Sequence, residues 1–248
     1  LTLQRRTSWT AGLPDAHIDL GRFDRPFSLI NRPLLMLDDN RTDPLVLMSP
    51  VLISDSAMFS ISGLMEGNLN NAFWDSDQAR SYAGEQGRVA GEIFEESVAQ
   101  RLRELGLDAQ PRRKLSAILN QKVAPEFGDV DVFAISADRE RVFVIEAKNL
   151  RLCRTETEVA ARMSEYRGRT VPTSKGGTKP DKMLRHIRRV KYLRDRAAAV
   201  AKSLKLPKPP EVKGLLIVDA PQPMNFHMLD ELPDAESAFL DSIETYKF

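Results

Sequence analysis

The stretch that decides the fold is GDVDVFAISADRERVFVIEAK, residues 128–148. Two apolar segments, residues 130–136 and 141–148, flank the short polar connection 137–140, a pattern typical of a β-hairpin. The second segment is apolar on both faces, as expected of a central strand that is covered on each side. Because the start of one hairpin strand lies beside the end of its partner, polar residues at the two outer ends should meet at one edge of the sheet.

Charged residues occupy those outer ends. Asp129 and Asp131 begin the first strand, and Glu146 and Lys148 end the second. Residues two apart in a strand point to the same face, so all four side chains should gather. Clustered carboxylates repel one another, and Mg²⁺, which typically takes one or two carboxylates and keeps several waters, relieves that repulsion. A lysine beside such a cation can orient water and offset negative charge, so the set suits attack of water on a phosphodiester.

The flanking sequence predicts an α/β protein with a mixed sheet. Apolar residues at three- and four-residue spacing indicate amphipathic helices, and short apolar runs indicate strands. The predicted elements are a helix over residues 86–105, a strand near 114–119, the hairpin, a helix over 155–166, a polar loop over 167–180, a long helix over 181–204 and a buried strand over 213–219. Asp181 is the expected N-cap of the long helix.

The N-terminal sequence differs from this pattern. Short apolar runs at residues 33–38 and 45–53 flank turn-forming residues and predict a hairpin or two edge strands, with Pro50 keeping the second run near an edge. Residues 63–80 are irregular by pattern. We therefore predict an accessory region over residues 1–80, a core over residues 81–220 and an acidic tail over residues 221–248.

The strand-start and strand-end motifs resemble those of the PD-(D/E)XK, restriction-endonuclease-like nucleases, most closely the Mrr-like and Holliday-junction-resolvase-like members, over about residues 91–219. The resemblance implies a restriction-endonuclease-like core with a central four-stranded mixed sheet flanked by helices, here with a β-rich accessory region before it. It also implies that Asp131 and Glu146 bind Mg²⁺ or Mn²⁺, that the Ala147 carbonyl adds a ligand, and that Lys148 is the catalytic lysine.

A helix glutamate completes the resemblance. Members of the family often carry a Gly-X-X-Phe-Glu motif, which residues 91–95 match. Glu95 is thus a candidate catalytic residue and a further candidate metal ligand, with Glu92 and Glu96 as alternatives. Glu-X-Lys alone has little specificity: residues 211–213 form a second copy that lacks an upstream aspartate. The alternative interpretation of Glu146 and Lys148 is an ordinary salt bridge.

The charge distribution bears on the partner. The chain has 36 basic and 35 acidic residues, yet residues 151–213 alone hold 18 basic and 6 acidic ones. A basic helix surface there would contact DNA phosphates, which position a duplex without reading its sequence. The alternative is an ordinary solvated helix face. The candidate nucleic-acid-binding residues are Lys182, Arg185, Arg188 and Arg189.

These observations predict a Mg²⁺- or Mn²⁺-dependent DNA endonuclease acting in restriction, defence or repair. The alternative is an inactive nuclease-like module that only binds nucleic acid. The lone Cys153 excludes an intrachain disulfide and predicts a reducing, cytoplasmic location. No apolar run reaches about 18 residues, so no membrane association is expected. The absent initiator Met suggests further domains of a longer chain. The resemblance also implies a possible homodimer, since many enzymes of this type cut two strands as dimers.

Overall fold

A computed structural model describes residues 2–3, 33–38, 40, 42–65, 76–150, 152–153, 156–173, 177–227, 236–246 and 248. The chain divides into two compact units, residues 1–90 and 91–248. The boundaries proposed from the sequence at residues 80 and 220 stay predictions.

The first unit contains a small sheet and a helix. Strands β1 (Thr2–Leu3), β2 (Leu34–Met36) and β3 (Val46–Met48) form a three-stranded sheet in that order, with β2 and β3 antiparallel. The hairpin predicted from residues 33–38 and 45–53 is therefore confirmed. Its strand continuation past β3 is wrong, because helix α1 (Pro50–Met65) begins there. Proline is well tolerated at a helix start, where its missing N–H has no partner to lose.

The expected β-rich character of this region is also corrected. Its three described strands have 2, 3 and 3 residues, whereas α1 alone has 16. The next helix, α2 (Asp77–Glu104), covers the predicted helix and starts nine residues before it.

The second unit holds the larger sheet. Its further elements, in chain order, are β4 (Asp108–Lys114), α3 (Leu115–Leu119), β5 (Asp129–Ile135), β6 (Arg141–Lys148), α4 (Glu156–Glu165), β7 (Thr170–Pro172), β8 (Thr178–Pro180), α5 (Lys182–Arg194), α6 (Ala197–Leu204), β9 (Glu211–Val218), α7 (Met224–His227) and β10 (Glu236–Phe239). Short 3-10 helices span Pro125–Phe127 and Leu240–Thr245.

The larger sheet is mixed and, in the part of the chain that the structure describes, has five strands in the order β10-β9-β6-β5-β4. Strands β4, β5 and β6 are antiparallel neighbours, whereas β6–β9 and β9–β10 pair in parallel. The α/β class and the hairpin over residues 128–148 are confirmed. The expected four strands are corrected to five, because β10 comes from residues assigned to the acidic tail.

Strand β6 lies between two apolar layers, one on each face of the sheet. Phe94, Val98 and Leu102 of α2 pack with Phe143 and Ile145 on one face. On the other face, the side chains that pack with Val142 and Val144 come from α3, α5 and α6: Leu115, Ile118, Leu119, Val190, Leu193 and Val200. The polar ends of β5 and β6 are thereby held on a rigid, buried support.

Three local predictions needed correction. Residues 115–119 form α3 instead of a strand, because Leu115, Ile118 and Leu119 are buried at helical spacing. The predicted long helix is two helices separated at Arg196, whose φ of −119° is not helical. The loop over residues 167–180 contains the short β7–β8 hairpin. The Asp181 N-cap is confirmed, since its carboxylate accepts a hydrogen bond from the Leu184 N–H at 2.7 Å.

Candidate active site

Strands β5 and β6 bring three charged side chains together. The Lys148 Nζ lies 2.6 Å from Asp131 Oδ2 and 2.9 Å from Glu146 Oε1. The register explains the meeting, since Val132 pairs with Ile145 and the next positions outward are Asp131 and Glu146. The Ala147 N–H donates to the same Asp131 oxygen at 3.1 Å. The lysine therefore bridges two carboxylates from neighbouring strands.

The fourth residue of the predicted edge cluster is placed differently. Asp129 is exposed at the start of β5, opposite Lys114 of β4. Of the two aspartates, only Asp131 makes the contacts just described.

Arg189 is the second cation at Glu146. Its Nη1 donates to Glu146 Oε2 at 2.8 Å and its Nε donates to the Phe127 carbonyl at 2.9 Å. Only 8% of Arg189 is exposed, so it does not lie on the basic surface to which the sequence assigned it. The physical reason is helical spacing, because Arg189 falls on the buried face of α5 with His186 and Leu193.

The other three candidate nucleic-acid-binding residues lie closer to solvent. Arg185 and Arg188 are exposed on α5. Lys182 is partly buried, pairs with Glu165 at 2.7 Å and lies 5.6 Å from the centre of the Tyr166 ring. Of the four, Arg185 and Arg188 are therefore the most accessible to a phosphate backbone.

Opposite charges keep Glu146 and Lys148 ionised, whereas burial and the charge of Glu146 raise the pKa of Asp131. Burial alone would raise the pKa of Glu146, but the adjacent Lys148 ammonium and Arg189 guanidinium lower that pKa to about 2. Burial alone would lower the pKa of Lys148, but the carboxylates of Glu146 and Asp131 raise it. Lys148 is therefore a positive charge at neutral pH, suited to orienting an anion or a water molecule and unsuited to accepting a proton.

Glu95 joins the site from α2. Its side chain is 16% exposed, and among the described residues its buried Oε2 has no hydrogen-bond partner. Burial and the charge of Asp131 raise the pKa of Glu95 to about 7. The alternative Glu96 is 48% exposed and pairs with Arg103 at 3.1 Å. Glu95 is thus a partly buried acid at the site whose charge is incompletely compensated.

Two buried polar residues were not among the predicted site residues. His186 is fully buried, and its Nδ1 lies 4.0 Å from Glu146 Oε2. Tyr166 is 1% exposed, and burial raises its pKa. In the described part of the chain, the Tyr166 hydroxyl and both His186 nitrogens lack hydrogen-bond partners. The apolar stripe of α5 contains position 186, which was the available signal for the histidine.

His186 should make folding stability depend on pH. Burial lowers its pKa to about 4, against an ordinary 6.5. Since the unfolded chain binds a proton at higher pH than the folded chain, the contribution is complete above pH 6.5 and is lost as pH falls towards 4. The loss should approach about 3 kcal/mol relative to the variant His186→Leu. Urea unfolding of both proteins with EDTA, between pH 7 and pH 4, measures it. Parallel stability curves would contradict the prediction.

Whether a metal ion fits the site depends on which side-chain oxygens are available to bind it. Within the described residues, no group of three or more His, Cys, Asp or Glu side chains is arranged to hold a metal ion. Mg²⁺ does not require such a group, because it commonly binds one or two carboxylates and keeps its waters. Glu95 Oε2, which is buried and accepts no hydrogen bond among the described residues although Arg112 Nη1 lies 3.6 Å away, and the neighbouring Asp131 fit this mode. Glu146 fits it less well, because cations hold both of its oxygens.

No helix in the described ranges is long and apolar enough to cross a bilayer.

The fold and the site define a mixed α/β protein that carries a cluster of acidic and basic side chains at one end of its central strands. Over residues 2–242 the chain matches the family of proteins described as anti-phage protein Upx-like. The chain therefore belongs to the Upx-like family of anti-phage proteins, which points to a role in defence against phage. Searches of the curated proteins and of the solved structures gave no significant match.

Proposed function

We propose that the chain is a metal-dependent nuclease that hydrolyses DNA phosphodiester bonds during phage defence. The observation that supports this most directly is the Lys148 ammonium, held within hydrogen-bond distance of both Asp131 and Glu146. Glu95, from a distant part of the sequence, lies close enough for the charges of Asp131 and Lys148 to change its pKa. Family membership supports the defence role.

The contacts of the site residues separate those that could bind a metal from those that already pair with a cation. We propose that Asp131, Glu95 and the Ala147 carbonyl would hold Mg²⁺ or Mn²⁺. Glu146, whose oxygens already contact Lys148 and Arg189, would join only by exchanging one of those cations. When bound, the metal would supply Lewis-acid stabilisation of negative charge on the phosphate. Lys148 would orient the attacking water and stabilise the same charge.

The proposed substrate is DNA, held through its phosphates. Arg185 and Arg188 are exposed on α5, the helix whose buried face carries Arg189 to Glu146. Exposed arginines release counterions when they bind phosphates, which gives salt-sensitive affinity independent of base sequence. The exposed and buried faces of α5 would thus serve substrate binding and the site, respectively.

The direct test incubates the purified chain with supercoiled plasmid and with labelled branched DNA, in Mg²⁺, Mn²⁺ or EDTA. We expect nicked or linear products with either metal and none with EDTA, because the carboxylates need a cation to act on an anionic substrate. An RNA of matched length and structure separates DNA from RNA cleavage. Products that form equally well in EDTA would contradict the metal requirement.

A second candidate function is binding without cleavage. It is favoured by Glu146, whose two oxygens are fully engaged by Lys148 and Arg189, as in a purely structural salt-bridge cluster. Intact DNA after incubation with Mg²⁺ and Mn²⁺, together with salt-sensitive mobility shifts in EDTA, would favour this alternative over the nuclease.

A further inference from the structure

One arginine in β4 has an unusual backbone conformation. Arg112 has φ +51°, in the left-handed region that costs energy for residues other than glycine. Three other described non-glycine residues share a positive φ, but Asn120 and Lys205 are helix C-caps and Arg139 lies in the turn between β5 and β6. Among the described residues, Arg112 is the only one of these inside a strand. Such a conformation persists only where the surrounding structure enforces it.

Its position places it at the candidate site. The pairs Pro111–Val132 and Arg113–Val130 flank it, so Arg112 lies opposite Asp131. In a regular strand, side chains three residues apart point to opposite faces. Because Ala109 packs in the layer formed with α2, a regular Arg112 would point away from that helix.

The observed side chain points towards α2 instead. The Arg112 Nη1 donates to the Glu92 carbonyl at 3.2 Å and lies 3.6 Å from Glu95 Oε2. Its Nη2 lies 3.9 Å from Glu96 Oε2. The left-handed backbone is therefore associated with a guanidinium directed at the turn of α2 that carries the helix glutamate.

We propose that Arg112 is a positioning residue that holds the Glu95 carboxylate towards Asp131. The two carboxylates repel each other, and the Arg112 guanidinium, 3.6 Å from Glu95 Oε2 and carried by the strand residue opposite Asp131, offsets that repulsion and fixes the side chain. The hydrogen bond to the Glu92 carbonyl anchors the guanidinium to the helix backbone, so its place does not depend on Glu95. The inference rests on the proposed nuclease function, within which Arg112 acts through Glu95.

The experiment compares Arg112→Gly, Arg112→Lys and a matched control, Arg139→Gly. Arg139 also has a positive φ, of +60°, and its guanidinium also donates to a carbonyl, that of Leu204, but in the turn between β5 and β6. Both glycine variants relieve backbone strain, so urea unfolding should show neither to be less stable than the wild type. The rate of DNA cleavage should then distinguish Arg112→Gly from Arg139→Gly.

With Arg112→Gly, kcat for DNA cleavage should fall about 10- to 100-fold while KM changes little, because a misplaced catalytic group affects the chemical step. Arg112→Lys keeps the charge and should retain most of the wild-type kcat. Arg139→Gly should match the wild type. A wild-type kcat for Arg112→Gly, or a loss that appears in KM, would overturn the inference.

Crystal structures of the wild type and Arg112→Gly give a readout that does not need activity. The inference expects the Glu95 carboxylate to move by about 1 Å or more from its place beside Asp131, a displacement large enough to matter for catalysis. An unchanged Glu95 would overturn it. Absence of any DNA cleavage by the wild type would instead count against the proposed function, and the two structures would still decide the role of Arg112.

Discussion

Replacing Lys148 with alanine should lower the rate of metal-dependent DNA cleavage by about 10²- to 10³-fold, the usual cost of removing a group that stabilises transition-state charge. Lys148 is the cation shared by Asp131 and Glu146, and their charges raise its pKa, so it is charged at the pH of the assay. The effect should appear in kcat under saturating DNA and Mg²⁺. Plasmid nicking followed over time measures it.

The chain supplies its own control for this experiment. Lys213 belongs to the second Glu-X-Lys sequence, and its side chain has the same 28% exposure as that of Lys148. It lies 3.9 Å from Glu211 at the start of β9, and within the described part of the chain no ion pair joins it to an aspartate. Lys213→Ala should cleave at the wild-type rate. Equal losses in the two variants, or an active and folded Lys148→Ala, would refute the assigned role of Lys148.

Replacing Arg189 with alanine should lower the free energy of unfolding by about 3–5 kcal/mol, because it breaks a buried ion pair and leaves a carboxylate without one of its partners. The guanidinium holds Glu146 at 2.8 Å and the Phe127 carbonyl at 2.9 Å, so its loss also frees the chain segment before β5. Urea unfolding without metal measures the change.

A substitution at the neighbouring Arg188 distinguishes the effect of losing a buried arginine from the effect of losing a positive charge. Arg188 is exposed on the same helix, and Arg188→Ala should change the free energy of unfolding by no more than about 0.5 kcal/mol, as for most surface substitutions. It should weaken DNA binding instead. The double variant Glu146→Leu/Arg189→Leu removes both buried charges and should be more stable than Arg189→Ala. Equal effects of the Arg188 and Arg189 variants would contradict the placement of Arg189.

The hairpin and the meeting of Asp131, Glu146 and Lys148 could be predicted because they follow from local rules. Alternating side chains and a short turn determine which residues face each other. The same rules failed where contacts between distant parts of the sequence determine the secondary structure. Strand β10 forms by pairing in parallel with β9, and nothing in its own four residues requires that partner.

The candidate site shows the same division between features that follow from local rules and features that depend on long-range packing. Counting positive charges on α5 treats every arginine as solvent-facing, whereas helical periodicity puts Arg189 on the buried stripe with His186. Arg112 could not be recognised at all, because a left-handed backbone inside a strand depends on β4, β5 and α2 together. Sequence patterns thus identified the acids and the lysine that meet at the strand ends, but not the contacts that Arg189 and Arg112 make with Glu146 and Glu95.

The unusual backbone of β4 has a consequence for self-association. Among the described strands, β4 lies at the edge of the larger sheet, and exposed edges invite pairing with strands of other chains. Pro111 offers no N–H to a new partner, Arg112 departs from extended geometry, and Lys114 adds an exposed charge. These three neighbours make the edge of β4 a poor template for sheet extension and aggregation.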